Sequence, residues 1–106
     1  MSKKKEIREM ANLIGNSAAH IAILPDSEFA LKEASTYTED AAETAAKRTW
    51  NKKDISMFKV FATNRAISEI KRRIKIYDLS GRHLEKFIIR AEKYIEKFSL
   101  EHMERK

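Results

Sequence analysis

Apolar residues recur at steps of three and four along almost the whole chain, and this spacing restricts the fold more than any other feature. It places apolar side chains on one face of an α-helix. The 106 residues include only two glycines and one proline, too few turn formers for a many-stranded sheet. The pattern predicts an all-α fold, and its first helical segment carries Ile7, Met10, Ile14, Ser17, Ile21 and Leu24 on one face.

Breaks in the pattern divide the chain into helices. Ser2 is placed to cap the first helix, and Pro25 ends it. A second helix is expected over about residues 26–47, and small side chains along it allow a neighbouring helix to approach closely. Its predicted core positions are Ala30, Ala34, Tyr37, Ala41 and Ala45.

Capping residues mark the later helices. Asn51 is placed to cap the third helix, with Asp54 in its first turn. The predicted core face of this helix consists of Val60, Ile67, Ile70, Ile74 and Tyr77. A break follows at residues 78–81, where Ser80 can cap and Leu79 can pack against Leu84. The predicted core face of the fourth helix consists of Leu84, Phe87, Ala91, Ile95 and Phe98.

Short connections between long helices favour antiparallel neighbours. The sequence therefore predicts one domain over residues 1–106, folded as an antiparallel up-down four-helix bundle. The chain has no cysteine, which excludes disulfides and thiolate chemistry. No apolar run approaches the roughly 20 residues that a membrane span needs, so a cytoplasmic protein without a membrane partner is expected.

Charge is divided unevenly along the chain. The net charge is +6; residues 1–46 hold five bases and eight acids (−3), and residues 47–106 carry the remaining +9. Residues 47–75 alone contain ten bases and two acids. A concentrated positive region attracts polyanions. The predicted nucleic-acid-binding residues are Lys52, Lys53, Arg65, Lys71, Arg72, Arg73 and Lys75.

Aromatic residues accompany these bases on the third helix. Phe58 and Phe61 share a side of the helix with Arg65 and Arg72. Aromatic rings can stack on bases while guanidinium groups bind phosphates, so Trp50, Phe58 and Phe61 are candidate stacking groups. In the alternative interpretation, the third helix sits centrally, buries both faces in its first half, and exposes Arg65 and Arg72 as solvated charges.

The fourth helix carries a second basic stripe. Several of its cations have an acid three or four residues further on, as Lys97 has Glu101, which favours a solvated and partly paired face. Lys86 and Arg90 lack such a neighbour and are expected to stay available.

No motif indicates catalysis. His20, His83 and His102 belong to no metal-binding spacing, and Gly15 and Gly81 cannot form a phosphate-cradling loop. The carboxylates of residues 39–43 lack a histidine partner or a second carboxylate helix. A non-enzymatic protein without cofactor or metal is therefore expected.

Residues 38–58 carry one local resemblance. Arg48, Thr49, Lys52, Lys53 and Asp54 are similar to the stretch where a histone fold leaves its long middle helix through a basic loop. The resemblance covers about a fifth of the 106 residues. The predicted second helix is shorter than a histone middle helix and the third is far longer than a terminal one, so no DNA-contact residue is transferred.

The sequence leaves two functional hypotheses. The first is a non-enzymatic module that binds nucleic-acid phosphates through the basic third helix and the loop before it. The second is a protein-interaction or assembly bundle, either a homodimer or a partner-binding module, with no nucleic-acid role. In the second hypothesis outlying apolar side chains are buried against the partner, namely Phe58, Phe61, Ile76, Ile89 and Leu100.

Overall fold

Four α-helices form the structure, a computed structural model that describes residues 2–76 and 83–104. They are α1 (Lys3–Ile23), α2 (Glu28–Ala45), α3 (Lys52–Ile76) and α4 (Leu84–His102). No strand occurs in the described ranges. The predicted all-α four-helix bundle is confirmed. None of these helices is long and apolar enough to cross a membrane.

Serine side chains cap the first two helices. The Ser2 hydroxyl accepts a hydrogen bond from the backbone N–H of Lys5 at 3.2 Å, as predicted. The Ser27 hydroxyl accepts one from the N–H of Ala30 at 3.2 Å. The second helix therefore begins at Glu28, slightly later than the predicted start near residue 26, because Ser27 is its cap.

Asn51 and Asp54 cap α3 reciprocally. The Asn51 side-chain oxygen accepts from the Asp54 N–H at 2.8 Å, and the Asp54 carboxylate accepts from the Asn51 N–H at 3.0 Å. Lys3 at the start of α1 forms an ion pair with the same carboxylate. Burial acts to raise the pKa of Asp54, but the hydrogen bonds from Lys3 and Asn51 and the nearby positive charges hold it below its ordinary value. The ion pair between Lys3 and Asp54 joins the starts of α1 and α3.

The first helix lies at the centre of the bundle. It packs against each of the other three helices, whereas α2 and α3 contact each other only weakly in the described ranges. Twelve of the 21 residues of α1 are buried, compared with four of the 25 in α3. The expectation that the third helix sits centrally is therefore wrong, whereas Arg65 and Arg72 are exposed as that alternative expected.

Contacts along the bundle give the helix directions. Lys3 contacts Asp54 near the starts of α1 and α3, and Asn16 contacts Arg65 further along both, so these neighbours run parallel. The Lys59 ammonium, in the first half of α3, lies 3.0 Å from a Glu96 oxygen, in the second half of α4. The two helices therefore run in opposite directions. The bundle alternates in direction along the chain, and it places α1 directly beside the parallel α3.

An ion pair between a buried acid and an exposed arginine fixes the connection between α2 and α3. Glu6 on α1 is 3% exposed and is paired with Arg48 in that connection. A carboxylate removed from water needs such a partner, since an unpaired buried charge is strongly destabilising. Arg48 therefore ties the connection to the first turns of α1.

Gly15 allows α1 and α3 to approach closely. A Cβ atom added at Gly15 would lie 2.7 Å from the Cβ of Arg65 and 2.8 Å from the carbonyl oxygen of Ala62. Both distances are shorter than a van der Waals contact. Alanines surround this point on both helices, so backbone packs almost directly on backbone.

The predicted core of α3 is partly wrong. Val60 is 56% exposed, whereas Phe58 is fully buried, in a row with Ala62, Ala66 and Ile70 at steps of four. The larger ring gains more from burial than valine does, and its centroid lies 5.5 Å from that of Phe98. Tyr77 and the predicted break at residues 78–81, with Ser80 and Leu79, lie outside the described residues.

The predicted core positions of the other helices agree better with the structure. The alanines of α2 are buried as expected, and so are Phe87, Ala91, Ile95 and Phe98 on α4. The resemblance at residues 38–58 stays local, because α2 has 18 residues, α3 has 25, and the other three helices are arranged around α1.

Substitution of Gly15 by Ala tests the close approach of α1 and α3. The added methyl group must push the helices apart, and we expect it to lower the free energy of unfolding by about 1–3 kcal/mol. This loss occurs although alanine favours a helix by about 1 kcal/mol over glycine. Urea unfolding measures the change. Asn12→Ala, at an exposed position of α1, is the control and should leave stability unchanged or slightly raised; equal stabilisation by Gly15→Ala would contradict the contact.

Candidate nucleic-acid interface

A groove between the parallel helices α1 and α3 is where the structure brings predicted site residues together. We call it the α1–α3 groove; it is open to solvent and has a volume of about 430 Å³. The groups that line it are cationic, polar or aromatic, and none is a carboxylate. The lining residues are Arg8, Asn12, Phe61, Asn64, Arg65 and Ser68.

Phe61 forms the aromatic part of the groove. One part of its half-buried side chain packs on the core, and the rest lines the groove. The guanidinium carbon of Arg8 lies 5.4 Å from the centre of the Phe61 ring, a cation–π distance. The groove therefore contains an aromatic surface next to an exposed cation.

The other two candidate stacking groups are buried. Trp50 is 8% exposed, and its indole N–H donates to the carbonyl oxygen of Ala45 at 2.9 Å. Phe58 is fully buried against Phe98. Neither ring is open to a base in this fold, because each belongs to the apolar core. Trp50 also lines a separate pocket with Arg48 and Thr49, so of the three predicted rings only Phe61 lines the α1–α3 groove.

Arg65 is held along the edge of the groove. Its Nε–H donates to the side-chain oxygen of Asn16 at 3.1 Å, and its Nη2 lies 3.5 Å from a Glu69 oxygen. The side chain is 43% exposed. Its remaining N–H groups can reach an incoming anion, since a guanidinium carries five donors.

Glu69 is shared by three arginines. Its Oε2 accepts from the Nε and Nη2 of Arg72 at 3.0 and 2.8 Å, lies 3.8 Å from the Nε of Arg73, and its Oε1 lies near Arg65. Three cations and one anion leave a charge of +2 in this cluster. Arg72 is 57% exposed. The neighbouring acid therefore offsets part of the predicted positive charge and also fixes the position of Arg72.

Arg73 is less exposed than Arg65 and Arg72. Its side chain is 14% exposed, and its buried Nε has no hydrogen-bond acceptor. Its charge faces the end of α1, where it acts on His20. A group so little exposed contributes little to the open positive surface, and phosphate binding by Arg73 stays a prediction.

His20 occupies a buried polar site at the same end. It is 8% exposed, and its Nδ1 lies 4.0 Å from a Glu33 oxygen. Burial lowers the pKa of His20 below its ordinary value and the charge of Arg73 lowers it further, while Glu33 acts in the opposite direction. His20 is therefore neutral at pH 7, and it is placed for packing rather than for proton transfer.

The predicted lysines lie toward the two ends of α3. Lys71 and Lys75 are exposed and form no ion pair with another described residue. Lys52 and Lys53 are exposed at the other end, roughly 30 Å away at 1.5 Å per residue. At 100° per residue, Lys53, Lys71 and Lys75 lie within about 40° of one another around the helix. They flank the α1–α3 groove rather than forming one cluster.

Sequence reasoning missed the groove residues other than Phe61 and Arg65. These are Arg8 and Asn12 on α1, and Asn64 and Ser68 on α3. Arg8, Asn12 and Asn16 are spaced by four residues, so a polar stripe opposite the apolar face of α1 was visible in the sequence. That α1 lies directly beside α3 was not visible.

Some cations of the basic stripe on α4 are engaged in contacts within the protein. Arg90, expected to stay available, donates from its Nη1 to the carbonyl oxygen of Ala22 at 3.0 Å and so binds the end of α1. The Lys97 ammonium lies 4.0 Å from a Glu101 oxygen. The stripe therefore offers fewer open cations than its sequence indicated.

Comparison with known proteins adds no assignment. No family model, no curated protein and no solved structure matches this chain. Across residues 2–76 and 83–104, no three histidine, aspartate or glutamate side chains come together as a metal site would require. The function must therefore be inferred from the geometry of the chain itself.

His20 provides a test of the packed end of α1. Because its pKa is lowered on folding, the unfolded chain binds a proton more readily than the folded chain, so stability should fall as the pH decreases below 6.5. The loss of stability is complete once the pH is below the lowered pKa of His20 in the folded chain. Urea unfolding between about pH 8 and about pH 5 should show a smaller loss for His20→Gln than for the wild type. An NMR titration that gives His20 a pKa above 6.5 would contradict the site.

Proposed function

We propose that the protein is a non-enzymatic nucleic-acid-associated module that binds phosphates along the α1–α3 groove and the flanking surface of α3. One observation carries the proposal: the groove is lined by Arg8 and Arg65 and contains no carboxylate among its lining residues. Arg72 lies seven residues after Arg65, on the same side of α3. A cationic groove lined by no carboxylate is suited to a polyanion, although Glu69 at its edge offsets one of the arginine charges.

The arginine geometry supports phosphate as the ligand. A guanidinium donates two parallel hydrogen bonds to a phosphate, which a lysine cannot do with one ammonium. Glu69 holds Arg65 and Arg72 in defined positions, so less side-chain freedom is lost when a phosphate binds. Lys71 and Lys75 at one end and Lys53 at the other extend the positive surface along α3, whereas Lys52 lies about 100° further round the helix, away from the groove.

Binding of this kind is largely independent of sequence and sensitive to salt. Each phosphate contact releases counterions, so affinity falls steeply as salt rises. We place this role in the cytoplasm. Nucleic acids are accessible there, and a chain without cysteine needs no oxidising compartment to form disulfides. In this proposal neither an enzyme activity nor a cofactor is involved.

Neutralising Arg65 and Arg72 together should weaken binding. We expect the double variant Arg65→Gln/Arg72→Gln to reduce the slope of log affinity against log salt by about 1.5, because two phosphate contacts are lost. The control is Lys86→Gln/Lys93→Gln on α4, which removes the same net charge away from the groove. A filter-binding salt titration with RNA and DNA measures both.

Two outcomes would overturn the proposal. The first is an absence of wild-type binding to RNA and DNA at about 50 mM salt, where phosphate contacts are strong. The second is an equal loss of affinity in the groove variant and the α4 control. Binding would then depend on the net charge of the protein and not on the groove.

A second candidate function is self-association or partner binding through exposed apolar side chains. Ile76 is 61% exposed, Leu100 56% and Ile89 47%, as that hypothesis requires. Phe58 is buried and Phe61 half-buried, so they contribute less than predicted. Phe29, 73% exposed near the start of α2, adds an apolar group that sequence reasoning did not include.

Sedimentation separates the two candidates. The assembly hypothesis predicts a dimer that persists at high salt and is weakened by Leu100→Ala or Ile76→Ala, because apolar contacts are insensitive to ionic screening. The nucleic-acid hypothesis predicts a monomer whose affinity for nucleic acid falls with salt. A salt-insensitive dimer without nucleic-acid affinity would favour assembly.

A further inference from the structure

We infer that the α1–α3 groove takes up an unstacked base of single-stranded nucleic acid, with Phe61 as the stacking surface. The inference rests on the proposed function and specifies its ligand. The observations behind it are the concave shape of the groove, the aromatic ring on one wall, and the amide and hydroxyl groups beside that ring.

The packing of α1 against α3 disfavours a duplex in the groove. The DNA major groove is about 12 Å wide, and one helix with its side chains measures about 10–12 Å across. Two parallel helices in contact at Gly15 present a surface roughly twice as broad. A duplex can therefore touch only the rims of the α1–α3 groove, whereas a base that has left its stack can enter it.

The groove offers the chemistry that an unstacked base needs. The ring of Phe61 supplies a π-face, which bases use for stacking without regard to sequence. The side-chain amides of Asn12 and Asn64 each carry both a donor and an acceptor, and the Ser68 hydroxyl can act as either. These groups match the edges of single-stranded bases better than phosphates, which only accept.

Arg8 has a specific place in this binding mode. Its guanidinium lies over the Phe61 ring in the unbound protein, where the base would stack. Arg8 is exposed and makes no ion pair with another described residue, so it can swing aside. Its charge then lies next to the phosphate of the entering nucleotide, with Arg65 and Arg72 on the other rim.

Phe61→Leu tests the stacking surface. Leucine keeps an apolar side chain against the core but removes the ring, and we expect single-stranded oligonucleotide to bind on the order of tenfold more weakly. Affinity for a duplex of the same length should not change. The control is Leu31→Ala, an exposed apolar residue on α2, which should leave both affinities at the wild-type value. Fluorescence anisotropy with labelled oligo(dT), oligo(rU) and a hairpin duplex gives these numbers.

Two further measurements keep the inference testable if Phe61→Leu is poorly folded. Asn64→Ala changes an exposed residue that also lines the groove, and it should weaken single-strand binding by a smaller factor while leaving the thermal melt unchanged. Ultraviolet cross-linking of oligo(dT) to the wild-type protein, followed by peptide mapping, should locate the adduct at Phe61.

The outcomes distinguish this inference from the proposed function. Tighter binding of duplex than of single strand, no effect of Phe61→Leu on a folded variant, or a cross-link on α4 would overturn the base-binding inference. If Arg65→Gln/Arg72→Gln still weakens binding in those cases, the phosphate-binding proposal stands. An absence of binding to every nucleic acid would overturn both.

Discussion

The contact at Gly15 is the constraint on which the rest of the structure depends. Because no side chain separates α1 from α3 there, the two backbones meet, and Arg65 is placed directly over α1 beside Asn16. The groove lined by Arg8 and Phe61 exists because α1 and α3 are neighbours that run in the same direction. A bundle in which α2 and α3 packed together would have separated these groups.

Electrostatics shapes the surface that this contact creates. Glu6, the buried acid of α1, forms an ion pair with Arg48, and Asp54 forms one with Lys3. Two acids near the starts of α1 and α3 are therefore neutralised by neighbouring cations. Glu69 draws Arg65 and Arg72 into fixed positions, although it offsets one of the charges. What remains positive is the groove and the flank of α3, while the acidic residues of α2 lie on a helix that contacts α3 only weakly.

Sequence patterns predicted the helices well and the arrangement poorly. Capping residues such as Ser2 and Asn51 act within a few residues of their partners, so local sequence is enough to place them. The core of α3 depends on which neighbour the helix meets, and that is why Val60 is exposed and Phe58 buried. Arg73 looked like a surface cation because no local feature shows that it turns toward His20. Phe61 and Arg65 were found from their spacing, whereas Arg8 and Asn12 required knowledge of the α1–α3 contact.

The proximity of α1 and α3 at Gly15 is measured most directly by NMR of the unbound protein. The account predicts strong nuclear Overhauser effects from the Gly15 α-protons to the Arg65 β-protons, and from the Arg8 δ-protons to the Phe61 ring. Together they would show that the two helices touch and run in parallel. Overhauser effects from Gly15 to α2 or α4 with none to Arg65, or from Arg8 to the Lys71 end of α3, would contradict the account.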